Sequence, residues 1–231
     1  MKKYIPSVVT SGNLICGFAA IQIGDFYWSP ILLMCSFIFD GLDGMVARGL
    51  QVTSEFGKQM DSLADVISFG VAPSYLYYLL APDESWECKI IPSVIVVAGT
   101  VRLAKFNISP AKKYFQGLPI PANALFYIGI FFALENDSQL FIDFFNSKTN
   151  YLLTPIFMSI MMVSFGFRMF SIKGMSRQWK DNIYHYIMAV VVIVISISCK
   201  YESISYIVLA YIVLSIINTL TSKYLEKTKI V

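Results

Sequence analysis

Four aspartates, two glycines and an arginine stand at helical spacing between Asp40 and Asp65, in a chain otherwise apolar enough for a lipid bilayer. Acids in such surroundings are costly to ionise and are kept where they bind an ion, relay protons or carry chemistry. The pattern reads Asp40-x-x-Asp43-Gly44-x-x-Ala47-Arg48, then eight residues, then Gly57-x-x-x-Asp61-x-x-x-Asp65. Residues three and four apart share a helix face, so Asp40, Asp43 and Gly44 form one stripe and Gly57, Asp61 and Asp65 another. With polar residues 49–56 as the turn between two helices, Asp40 comes level with Asp65 and Asp43 nearly level with Asp61. Four carboxylates are therefore expected to converge at one depth. Their mutual repulsion must be relieved by protons or cations. An all-oxygen set with no nearby His or Cys favours hard divalent ions, Mg2+ first and Mn2+ second. Two metals about 4 Å apart, clamping a phosphoryl group, are the use that needs this many acids.

The elements that must position these residues are membrane helices. Of 231 residues, 56% are hydrophobic and 14% charged, and the mean hydropathy is +0.63, which excludes an ordinary soluble core. The apolar runs predict about eight spanning helices, near residues 8–24, 28–48, 58–80, 89–106, 120–135, 151–170, 184–199 and 203–221. Lysine and arginine placement sets their orientation. With the N-terminus inside, only Lys89, Lys148 and Lys200 of the 18 basic residues fall outside, so the acidic cluster opens towards the cytoplasm. The net charge of +3 follows alternate loops and forms no continuous patch, and no nucleic-acid partner is expected. Lys2 and Lys3 before an apolar run resemble the start of a signal peptide. Pro6 and Asn13 interrupt that run and no small-residue cleavage site follows, so a retained helix is expected. Cys16, Cys35, Cys88 and Cys199 lie far apart without ligand spacing and read as small buried residues. His185, the only histidine, reads as an interfacial polar residue.

In every position, the pattern Asp40, Asp43, Gly44, Ala47, Arg48, Gly57, Asp61 and Asp65 resembles the signature of the CDP-alcohol phosphotransferases. The resemblance implies an all-α polytopic membrane protein with a six-helix catalytic core, usually dimeric, and two divalent cations. In that family an alcohol hydroxyl attacks the β-phosphorus of a CDP-linked lipid and CMP departs. Carried over, Asp40, Asp43 and Asp61 would be metal ligands, and Asp65 would touch the second metal and act as the base. Gly44, Arg48 and Ser54 would hold the CDP group. Gly44, one turn from Asp40, leaves room for a nucleotide against the backbone, and Arg48 can fork onto a phosphate. The competing uses are close helix packing for Gly44 and Gly57, and interfacial snorkelling for Arg48 and Lys58.

Three further stretches resemble the phosphatidylserine synthase branch: residues 6–17 (PSVVTSGNLICG), 61–73 (DSLADVISFGVAP) and 102–121, where RLAKFN is followed by GLPIPA. Residues 162–173 (MVSFGFRMFSIK) do so more weakly. This implies CDP-diacylglycerol as donor, L-serine as acceptor, a membrane lipid setting, and a homodimer in the bacterial cytoplasmic membrane with its site facing inwards. On this reading residues 1–175 form the catalytic core. Residues 176–231 add two transmembrane helices, expected to face lipid or support a dimer, and a basic cytoplasmic tail. Arg102, Lys105, Asn107, Arg168 and Lys173 are candidates for holding a serine carboxylate or a lipid phosphate, although the positive-inside rule alone would place such cations there. Two other readings stay open. A sister enzyme would take glycerol 3-phosphate or an inositol phosphate and would ask for a denser cationic pocket. A cation-coupled transporter would spread its acids through the membrane depth.

Overall fold

Pro6 in the first turn and Gly24 just past the last bracket helix α1 (Ile5–Ile23). Gly24 takes the left-handed conformation at φ 64° and returns its N–H to the Ala20 carbonyl. Asp25 then starts α2 (Trp28–Gly49): its Oδ1 accepts from the N–H groups of Tyr27, Trp28 and Ser29. The computed structural model describes residues 4–109, 115–164, 168–169 and 183–228.

The third helical run is continuous in space but changes register. It comprises α3 (Glu55–Asp65), a π-helical turn (Val66–Val71) and α4 (Ala72–Tyr78). The Ala72 N–H reaches back five residues to the Ile67 carbonyl, immediately before Pro73, which has no N–H to give. Short α5 (Trp86–Ile90) precedes α6 (Ser93–Ile108), with Pro92 at the break. Next come α7 (Ile120–Glu135), α8 (Gln139–Asn146) and α9 (Lys148–Val163). The chain closes with α10 (Ile183–Cys199), a 3-10 turn (Lys200–Glu202) and α11 (Ser203–Thr228).

Each of the eight expected spans overlaps one of these helical runs, so the fold is the expected all-α polytopic one. Among the described residues, however, only Ile5–Ile23, Trp28–Gly49, Trp86–Ile108 and Tyr186–Thr221 are both long and apolar enough to cross a membrane on that ground alone. The other runs fall short for physical reasons. Glu55, Lys58, Asp61 and Asp65 make the third run too polar, and the 16 residues of α7 reach only about 24 Å. The Tyr186–Thr221 stretch is broken at Lys200, whose φ is 40°, and α10 packs back on α11. One exception to helix was not expected. Two-residue strands β1 (Phe115–Gln116) and β2 (Arg168–Met169) pair antiparallel, with Gln116 opposite Arg168.

The core lies between the third run, α7 and α9. Tyr77 and Tyr151 stack at 4.7 Å, Tyr77 donates to the Tyr151 carbonyl at 2.8 Å, and Tyr151 donates to the Cys88 carbonyl at 3.1 Å. Cys88 is buried there, and all four cysteines are free thiols. Away from the acidic cluster, Lys89 pairs with Glu84, and Lys148 pairs with Asp83 and Glu87. Lys200 lines a hollow with Tyr27, Glu135 and Asn136. The three lysines assigned to the outside thus lie beside the inter-helix turns that alternate with those near the acids, as a serpentine chain requires. Exposed Tyr27, Trp28, Trp86 and Tyr201 flank the same turns as an interfacial aromatic belt would.

Candidate active site

Helix α1 packs along α2 and also against α3 and the π turn. The sequence reading set Asp40 of α2 level with Asp65 of α3, and the two carboxylates do meet; the element it did not place there is α1, which packs on both helices. Two glycines let it approach. A Cβ at Gly12 would lie 2.9 Å from the Phe39 ring, and one at Gly17 would lie 2.2 Å from the Ser68 hydroxyl and 2.6 Å from the Ser68 Cα. Hydrophobic period shows which face of α2 and α3 turns inwards but not which helix meets it.

Asp40, Asp61 and Asp65 converge as the spacing requires. Each offers a carboxylate oxygen, and the three atoms lie within 4.8 Å of one another. Asp43, the fourth acid expected in the cluster, stands beside it and turns its Oδ2 to the Thr10 hydroxyl at 2.6 Å. Asp65 is 6% exposed, and its Oδ1 accepts from Asn13 Nδ2 at 3.2 Å. Asn13 is itself held: its side-chain oxygen accepts from Ser36, and its backbone carbonyl accepts from Ser68 at 3.0 Å. A buried oxygen of Asp61 has no hydrogen-bond partner. Oxygen-only donors, net negative charge and a bare buried carboxylate oxygen fit a hard cation better than any donor side chain nearby.

Beside the cluster opens a cleft of about 550 Å3, lined among others by Thr10, Asp43, Gly44, Arg48, Gly57 and Asp61. Its volume is that of a small-molecule site. Both signature glycines border it. A Cβ at Gly44 would meet only the Arg48 guanidinium, at 3.3 Å, and one at Gly57 only the Ser54 hydroxyl, at 3.2 Å. Neither glycine is needed for a neighbouring helix to come close, so the space they leave belongs to the cleft. Ser54 also lines it, while serving as the N-cap of α3 by accepting from the Gly57 N–H at 3.0 Å. Lys58, read from sequence as a snorkelling residue, points its ammonium to the Asn107 carbonyl at 2.9 Å and borders the cleft as well.

The candidate cations divide. Arg102 is 6% exposed, and its Nε has no acceptor among the described residues. Asn107 donates to Ser62 at 2.8 Å and ties the end of α6 to α3. Lys105, one turn before that end, is exposed. Arg168 is described by its backbone, which in β2 lies opposite Gln116, and Lys173 lies outside the described residues. Thr10 and Asn13 carry direct contacts to the acids and were missed as site residues. Their signal was present: two polar residues at i and i+3 in an apolar helix share a face.

These features define an integral membrane protein whose spans bury a carboxylate cluster able to hold divalent metal beside a ligand-sized cleft. The chain belongs to the CDP-alcohol phosphatidyltransferase family, whose profile matches residues 3–166. It is 45% identical over 125 residues to a CDP-diacylglycerol–serine O-phosphatidyltransferase of Methanocaldococcus jannaschii, covering 54% of this chain and 59% of that protein. It is 39% identical over 127 residues to the Bacillus subtilis protein of the same name, covering 52% of this chain and 70% of the relative. An archaetidylserine synthase of Methanothermobacter thermautotrophicus is 35% identical over 166 residues, covering 69% of this chain and 67% of the relative.

Proposed function

We propose that this protein is a CDP-diacylglycerol–serine O-phosphatidyltransferase, making phosphatidylserine and CMP. The observation that carries the reading is the convergence of Asp40, Asp61 and Asp65 beside a cleft kept open by Gly44 and Gly57. Serine recurs in the names of the relatives while the lipid differs, which favours serine over glycerol 3-phosphate or an inositol phosphate. The described cluster also lies at one level and not along a path through the bilayer, against a cation-coupled transporter.

In this reading Asp40, Asp43, Asp61 and Asp65 hold two divalent cations, Mg2+ or Mn2+, which when bound offset the pyrophosphate charge and stabilise the departing CMP. Gly44, Arg48 and Ser54 take the CDP group in the cleft, with Arg48 as the planar fork for a phosphate. Asn13, bonded to Oδ1 of Asp65, orients the carboxylate that accepts the proton of the serine hydroxyl. The serine oxygen forms its bond to the β-phosphorus as the bond from that phosphorus to the bridging oxygen breaks, and CMP leaves with the electron pair. Residues 1–175 form the catalytic core in this proposal, and residues 176–231 the two added helices and tail. A homodimer in a bacterial cytoplasmic membrane, with the site facing inwards, completes the reading. Family resemblance supports the dimer, and the 15 basic residues assigned to the inner side support the orientation.

The test is CMP release by the purified protein with CDP-diacylglycerol, either metal and a panel of alcohols. Release that depends on serine is expected. Release that depends instead on a phosphorylated alcohol would move the protein to a sister activity.

A further inference from the structure

Lys58 lies between two signature residues of α3 without belonging to the signature. It follows Gly57 directly and stands three residues before Asp61 and seven before Asp65, so it shares the helix face that carries both acids. Along this helix the cleft is lined, in order, by Ser54, Gly57, Lys58 and Asp61, while α2 supplies Gly44 and Arg48. Lys58 is half-buried, whereas Arg48 is exposed.

The ammonium is held in place. Its Nζ donates to the Asn107 carbonyl at 2.9 Å, one of those that the last turn of α6 leaves without a helical partner and that favour a cation. Asn107 is itself fixed to α3, since its Nδ2 donates to the Ser62 hydroxyl at 2.8 Å. One residue of α6 thus spans a full turn of α3, from Lys58 to Ser62, and Asp61 lies within that turn. An ammonium carries three donors. Among the described residues Lys58 uses one of them and forms no ion pair. Capping α6 accounts for that one donor, and two remain on a side chain that lines the cleft.

We infer that Lys58, held by the Asn107 carbonyl, binds the phosphate of the departing CMP. The inference rests on the CDP-lipid transferase reading of the cleft and adds to it a cation from outside the signature. In the donor lipid the nucleotide's own phosphate stands between the cytidine and the β-phosphorus. With the CDP group at Gly44 and Ser54 and the β-phosphorus at the acids, that phosphate comes level with Lys58. It is also the group whose charge changes. It carries one negative charge in the diphosphate and two in the departing CMP, because the electron pair of the broken bond stays on its oxygen. An ammonium already fixed in position loses little freedom on binding and stabilises this charge as it forms.

The experiment measures inhibition of the full-length protein by CMP and by cytidine, with Mg2+ or Mn2+ present, together with KM for the acceptor alcohol. In Lys58→Met, which keeps an apolar stem and removes the charge, the inhibition constant for CMP should rise by about tenfold or more, the usual worth of a hydrogen bond to a charged group. Inhibition by cytidine, which has no phosphate, and KM for the acceptor should not change. Lys58→Arg keeps the charge and should recover most of the affinity for CMP. An unchanged constant for CMP in Lys58→Met would overturn the inference alone. So would an equal loss of affinity for CMP and cytidine, which is the mark of a deformed cleft, or a change confined to KM for the acceptor, which would assign Lys58 to the other substrate. A wild type that CMP does not inhibit would overturn the transferase reading, and the inference with it.

Discussion

Asp65 and its three acidic neighbours are separable by what each variant retains. Asp40→Asn, Asp43→Asn and Asp61→Asn should each nearly abolish turnover, since each removes an oxygen from a metal set that has to be complete. Asp65→Asn should lose turnover by about 100-fold or more, the usual worth of a positioned base, while still binding CDP-diacylglycerol in the presence of metal. Binding of the nucleotide lipid across a metal titration distinguishes the two. If Asp65→Asn binds as poorly as Asp40→Asn, Asp65 is chiefly a ligand. Thr10 and Asn13 act one step further out, by orienting Asp43 and Asp65. Thr10→Val and Asn13→Ala should raise the Mg2+ or Mn2+ concentration that half-saturates the metal-induced rise in Tm by about 10–100-fold. Unshifted midpoints in both variants would remove these residues from the metal site. Asp40, Asp61 and Asp65 were legible because a helix repeats every three to four residues. The donors Thr10 and Asn13 were not recognised, since a polar residue in an apolar span looks like an interruption until its partner is known.

Among the elements, α1 has the largest consequence. Its contact with the π turn depends on Gly17, where a Cβ would meet Ser68 backbone as well as side chain. Gly17→Ala should therefore destabilise the protein by about 1–3 kcal/mol through overpacking. Gly44→Ala should leave Tm unchanged or slightly raised, because a helical glycine is replaced and only the mobile Arg48 end is met. It should nevertheless weaken binding of CDP-diacylglycerol, since the methyl enters the cleft. A Tm loss in Gly44→Ala equal to that of Gly17→Ala would show Gly44 to be a packing residue. Helix positions were legible from apolar runs, and the turn after α2 from its polar residues. The π register at Val66–Val71 was not: Pro73 announces a lost N–H, but whether a chain kinks, breaks or widens there is decided by what packs on it.

At the scale of the molecule, the described turns after α2 and after α4 lie at opposite ends of the third helical run, one near the acids and one away from them. The turn 50–54 and the turn at 82–85 should therefore label from opposite faces of the membrane. Single cysteines read with an impermeant reagent in intact cells should react at residue 84 and stay silent at residue 53 until the membrane is permeabilised. Strong labelling at residue 53 in intact cells would reverse the orientation. The spans themselves were legible from hydropathy, and their sidedness from Lys89, Lys148 and Lys200. Two features were not. The pairing of Gln116 with Arg168 joins short segments about fifty residues apart that carry no strand pattern. The inward polar face of α11 is diluted among apolar neighbours, so the helix read as lipid-facing or dimer-supporting, while Ser205, Ser215 and Thr219 are buried within the protein. The most direct test of the whole account is stoichiometric. Purified protein is given labelled serine, CDP-diacylglycerol and Mg2+ or Mn2+, and lipid-bound serine and CMP are counted together. One labelled lipid should form per CMP released, with both products lost on chelation of the metal and in Asp61→Asn. CMP released without serine entering the lipid, or serine incorporated at the wild-type rate by Asp61→Asn, would contradict it.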